Sequence, residues 1–127
     1  MADATAQLQK LIVDACVKNG SSEHGSDVHA SIRLEKGDYG IQSLLIPRNA
    51  RIRLYSKDRV RLLFLGKRNR PMFTLEENSM LFLEEKIEIY YNTNNIQEVS
   101  KLMLRVPQSS RAEISNRVKV SLFSLKQ

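Results

Sequence analysis

Residues 50–65, ARIRLYSKDRVRLLFL, hold two runs of strict alternation: Arg51 and Arg53 interleave with Ile52 and Leu54, and Arg59 and Arg61 interleave with Val60 and Leu62. A period of two is the signature of a half-buried strand, apolar on one face and charged on the other. Ser56, Lys57 and Asp58 between the runs are turn formers, so the local reading is a hairpin of antiparallel strands. Such a hairpin sets four guanidinium groups on one face with Tyr55 near its end. Like charges crowded on one face repel each other, and an anion would neutralise them.

The β pattern extends both ways. Upstream, Val28, Ala30, Ile32 and Leu34 alternate with His29, Ser31, Arg33 and Glu35; residues 36–40 read as a glycine-containing turn, 41–46 as a strand, and Pro47, Arg48 and Asn49 as a break. Downstream, residues 66–71 form a basic turn, 72–75, 80–83 and 86–91 continue as strands, and 76–79 turn between them. Residues 96–106 fit two templates: Ile96, Val99, Leu102 and Met103 recur at helical spacing, while Leu102, Leu104 and Val106 alternate. Residues 110–116 read as a short helical turn and 118–122 as a last strand. No internal repeat of fixed period is visible.

At the N-terminus Leu8, Leu11, Ile12, Ala15 and Cys16 recur at helical spacing, with Asp3 or Thr5 as N-cap and Gly20 as terminator. The expected organisation is one domain: a helix over residues 1–20, a flexible linker over 21–27, and a β-rich body over 28–127. The expected class is α+β with β dominant, an N-terminal amphipathic helix beside a small antiparallel β-barrel or two-sheet sandwich of about seven or eight short strands.

The 127 residues carry 20 Lys and Arg against 14 Asp and Glu, a formal charge of +6, and residues 48–70 alone hold nine basic groups and one acidic. Arginine dominates there, and its planar fork suits phosphate and stacks on bases. The reading this supports is a binding module for RNA or DNA, largely blind to sequence, with Arg48, Arg51, Arg53, Arg59, Arg61, Lys67, Arg68 and Arg70 toward phosphates and Tyr55 available to stack. Against it stands the plainer reading that Glu76, Glu77, Glu84 and Glu85 pair with the arginines and leave a solvated sheet. Phe64, Phe73, Phe82 and Phe123 lie in apolar runs and read as core, whereas Tyr39, Tyr55 and one of Tyr90 and Tyr91 are the stacking candidates.

A second function class is an adaptor that self-associates, or docks an acidic protein partner, through β edges and the helix positions Leu8, Leu11, Ile12 and Ala15. Chemistry finds little footing. His24 and His29 lack the further ligands of a zinc site, the paired glutamates 76–77 and 84–85 flank turns, and the glycines are too dispersed to cradle a phosphate. The expectation is therefore no enzyme, no metal and no cofactor. A single cysteine, an N-terminus without a signal-peptide pattern, and apolar runs far short of a membrane span point to an intracellular protein.

Overall fold

A computed structural model describes residues 3–19, 28–93, 96–114 and 119–121. The chain opens with helix α1 (Thr5–Asn19). It then runs β1 (Val28–Arg33), β2 (Gly37–Ile41), β3 (Leu44–Ile46), β4 (Ala50–Tyr55), β5 (Val60–Phe64), β6 (Phe73–Leu75), β7 (Met80–Leu83) and β8 (Ile87–Asn92). A 3-10 turn (Ile96–Glu98) leads into the short helix α2 (Val99–Met103), followed by β9 (Leu104–Arg105), β10 (Arg111–Ile114) and β11 (Lys119–Ser121).

These strands pair at intervals of three. One sheet has the order β1-β4-β7-β10, a second β11-β8-β5-β2, a third β3-β6-β9, and every pairing is parallel. The chain therefore winds as a three-sided parallel β-solenoid, one strand per side per turn. The expected antiparallel barrel or sandwich is overturned. Residues 56–58 do not reverse the chain but bend it by one corner, so β4 and β5 lie in different sheets. Alternation normally signals antiparallel sheets, since parallel ones are mostly covered on both faces. Here each sheet covers its inner face with the other two and leaves the outer face to water, which produces the same alternation from parallel strands.

Inward residues stack from turn to turn: Ala30, Ile52, Leu81 and Ala112 are in register, as are Ile32, Leu54 and Leu83, and Leu44, Phe73 and Leu104. Nearly all are buried. Two of the corners carry an asparagine in the left-handed region, Asn49 (φ 62°) and Asn78 (φ 56°), where its short amide side chain is well tolerated. The Asn78 amide Nδ2 donates to Asn49 Oδ1 at 2.8 Å, tying one corner to the next.

Further corrections concern single elements. Residues 36–40, expected as a turn, contribute most of β2; residues 41–46 are split between β2 and β3; residues 110–116 contain strand β10 rather than a helical turn. Of the two readings of 96–106, the helix running into a strand is the one adopted. The expected linker, 21–27, and the Gly20 terminator lie outside the described residues.

Helix α1 closes the first turn. Its buried Leu8 and Ile12 face the core, with Ala15 and Cys16 packed beside them. Its polar groups occupy backbone that a sheet edge would leave open: Ala4 N–H donates to Gly40 O at 2.7 Å, Gln42 N–H to Thr5 Oγ1 at 2.8 Å, and Leu45 N–H to Gln9 Oε1 at 2.8 Å. Gln9 Nε2 returns a bond to Leu45 O at 2.9 Å. Thr5 N–H donates to the Asp3 carboxylate at 2.8 Å, and the Thr5 hydroxyl donates to it as well. The Thr5 bonds hold the Asp3 carboxyl below its ordinary value.

In the interior, the Phe64 and Tyr91 rings stack with centroids 4.9 Å apart, and the Tyr91 hydroxyl donates to Arg70 O at 2.5 Å. Burial pushes the Tyr91 phenol up to about 12. With its folded value above the unfolded one near 10, Tyr91 keeps its proton in the native state over pH 10–12 while the unfolded chain loses it. Stability should therefore fall as pH rises through that window. In Tyr91→Phe this alkaline loss should diminish, whereas at pH 8 the variant should be weaker by about 1 kcal/mol, because the part-buried hydrogen bond to Arg70 O is lost. Urea unfolding at pH 8 and pH 11 checks both signs.

Candidate nucleic-acid interface

The solenoid distributes the arginines over different sides. Arg51 and Arg53 point outward from the first sheet, whereas Arg59 precedes β5 and Arg61 lies on it, in the second sheet. The expected four-arginine face does not exist, because it required β4 and β5 to be hairpin partners.

On the second sheet the positive charge is internally compensated. Arg61 sits in register between Asp38 and Glu88 and its Nε is 3.7 Å from Asp38 Oδ1. Arg59 Nε is 3.0 Å from Glu88 Oε2, and the Tyr90 hydroxyl donates to the other carboxylate oxygen at 3.1 Å. Glu88 is buried and needs these partners. Tyr90 and Tyr91 point to opposite sides of their strand, Tyr91 into the core.

On the first sheet Arg53 is fastened to Glu84, its Nε donating to Oε1 at 2.7 Å and its Nη2 to the same oxygen, and its guanidinium lies over the Tyr55 ring at 4.7 Å. Tyr55 thus stacks on a neighbour within the chain. Arg48 lies at the corner before β4, where its backbone N–H donates to Glu76 Oε1 at 3.2 Å and its side chain stands 4.0 Å from Glu77. The competing reading of arginines paired with acids holds for these residues. Of the four proposed acids, Glu77 and Glu84 pair with an arginine side chain, Glu76 meets only the Arg48 backbone, and Glu85 shows no such pair among the described residues.

Lys67, Arg68 and Arg70 differ. They fill the loop between β5 and β6, are exposed, and have no ion-pair partner among the described residues. The loop backbone is nonetheless held: Asn69 adopts φ 64°, its N–H donates to Asn92 O at 3.3 Å, and its side-chain oxygen accepts from the Thr93 hydroxyl at 2.5 Å. Arg70 N–H closes a turn onto Lys67 O at 3.2 Å, and Tyr91 holds Arg70 O from below. Three cations are therefore displayed on a backbone anchored to the next turn of the solenoid.

Of the helix positions, Leu8 and Ile12 are buried, Ala15 is half-buried and Leu11 is 41% exposed. Tyr39 packs against the core and donates to Glu35 O at 2.7 Å. Phe64 and Phe73 are core as expected, but Phe82 is not. It faces outward on β7, in register with Arg53. Period two from Leu81 and Leu83, both buried, would have shown this. Phe123 lies outside the described residues. Also missed were Arg33, Met80 and Arg111, which share the outer face of the first sheet and lie on separate strands far apart in sequence.

Among the described residues no group of three His, Cys, Asp or Glu is placed to hold a metal ion, and no helix is long and apolar enough to cross a membrane. Comparison with protein-family models, with curated proteins and with solved structures finds no match for this chain.

Proposed function

We propose that the protein is a non-catalytic module that binds RNA or DNA, with the Lys67–Arg70 loop making its leading phosphate contacts. The observation that carries this reading is the contrast in charge pairing. Arg48, Arg53, Arg59 and Arg61 have carboxylates beside them, while Lys67, Arg68 and Arg70 have none among the described residues. An arginine already held by a carboxylate must give up that partner to meet phosphate. A free cation exchanges only counterions, and it does so best when its backbone is ordered beforehand.

Fluorescence anisotropy with labelled single-stranded RNA, single-stranded DNA and duplex DNA across a salt series tests the proposal. The log of affinity should fall with the log of salt, and K67S/R68S/R70S should flatten the single-strand slope by about 2, at roughly 0.7 for each phosphate no longer neutralised. Arg59→Ala and Arg61→Ala should change it little. A flat salt response, or a slope unaltered by the triple change, overturns the proposal. The adaptor reading is weakened by the packing of α1, since Leu8 and Ile12 are spent inside the molecule.

A further inference from the structure

The outer face of the first sheet bears two rows in register: His29, Arg51, Met80 and Arg111, and beside them Ser31, Arg53, Phe82 and Glu113. Two grooves meet there. One, of 350 Å³, is walled by Ser31, Arg53 and Phe82 and by Arg51 and Met80; the other, of 380 Å³, runs from Arg51 and Met80 to Ser109 and Arg111. Arg51 and Met80 line both, so the two form one trough with unlike ends.

At the first end a half-buried aromatic ring lies beside a thioether and a guanidinium plane, the surroundings in which a flat heteroaromatic ring stacks. The other end is cationic. Arg51 and Arg111 flank Met80 across two strand spacings, about 9–10 Å, close enough for both long side chains to converge on one anion over the methionine. Ser109 adds a donor: its Oγ accepts the Asn78 N–H at 2.9 Å, and its own proton has no acceptor among the described residues. Glu113 holds Arg111 only loosely, at 3.6 Å with both groups exposed, so an incoming anion displaces it at little cost.

We propose that this trough is a site for a nucleotide unit, the phosphate between Arg51, Arg111 and Ser109, and the base against Phe82 and Met80. The proposal rests on the nucleic-acid reading for its choice of ring, but it uses none of the loop residues. Two arginine forks and a hydroxyl match a phosphate's several oxygens, and the ring end gives that phosphate a stacked neighbour.

Heteronuclear NMR titration of the whole protein with 5′-AMP, adenosine, inorganic phosphate and a uronic-acid trisaccharide tests it. AMP should bind more tightly than adenosine or phosphate and move the amides of β4, β7 and the 108–111 corner. Arg111→Gln and Phe82→Gln should each weaken AMP by about tenfold and Ser109→Ala by less; Arg111 and Phe82 face outward, so the melting points of those two variants should stay near that of the parent. K67S/R68S/R70S should leave AMP binding unchanged, which separates this site from the loop. Absence of AMP shifts at millimolar concentration overturns the proposal. So does AMP binding indifferent to Arg111→Gln and Phe82→Gln, or binding of the trisaccharide in place of AMP.

Discussion

Ile12→Asp is expected to destabilise the protein by at least about 3–5 kcal/mol, because it buries an unpaired carboxylate against the first turn of the solenoid, where Ile12 is 1% exposed. Against the ~5–15 kcal/mol that holds a typical domain together, such a loss brings much of the population to the unfolded or uncapped state. The second consequence is specific to this architecture. When α1 lifts away, the backbone of β2 and β3 loses Ala4, Thr5 and Gln9 as partners and becomes an open parallel edge. Open edges recruit other chains. Light scattering should therefore show association rising in Ile12→Asp and in Leu8→Asp, the reverse of what charged helix positions would do to an oligomer held together by that helix. Leu11→Asp is the control: Leu11 is largely outside the packed face, and its replacement should cost within about 0.5 kcal/mol. Urea unfolding read by circular dichroism gives the stabilities. Unchanged stability in Ile12→Asp would refute the role of α1 as the cap.

Gly66→Ala is expected to be the most damaging one-carbon addition in the basic loop. A Cβ at this position would lie 2.5 Å from Phe64 Cζ and 2.6 Å from Phe64 Cε1, well inside contact distance. The ring has little room to give, since Phe64 is 4% exposed and stacked on Tyr91. Tyr91 in turn holds Arg70 O, so displacement of the ring reaches the loop that presents Lys67, Arg68 and Arg70. Overpacking of this kind costs about 1–3 kcal/mol. A thermal melt should show the loss of stability, and nucleic-acid affinity should fall as well although no charge is removed. A melting point equal to the parent's would mean the ring yields freely and the loop is not anchored as described.

Much of the local structure is legible in the chain. Residues 50–55 and 80–83 form strands with the bounds their pattern predicts, the first from strict alternation and the second from a short apolar run between turn formers, signals that need no tertiary information. The helix of residues 5–19 is equally plain. Partner assignment is not. A corner such as 56–58 uses the same polar, turn-forming residues as a hairpin loop, so its composition does not say whether the next strand returns beside the last or departs into another sheet. The repeat is hidden by unequal turns: Val28 pairs with Ala50, Arg51 with Met80 and Met80 with Arg111, offsets of 22, 29 and 31 residues. The loop at 65–72 and the longer connection from β8 to β9, which holds the 3-10 turn and α2, absorb the difference and mask a period that the paired strands keep.

The candidate sites divide along the same line. The basic loop at 67–70 is visible as composition, since its residues are neighbours in the chain. The trough of Arg51, Met80, Phe82 and Arg111 is invisible there, because it joins residues from three successive turns that only parallel stacking brings within about 5 Å of the next strand. By itself the sequence determined which residues face inward in the strictly alternating strands, where most of the elements lie, and that positive charge is concentrated in residues 48–70, since each depends on side-chain chemistry and short-range periodicity; in the continuous apolar run 80–83 it did not, and Phe82 faces outward. Tertiary structure alone decided which strands are neighbours, which arginines meet a carboxylate and which do not. Those outcomes depend on contacts between residues about 20–30 apart, for which a two-residue alternation carries no information.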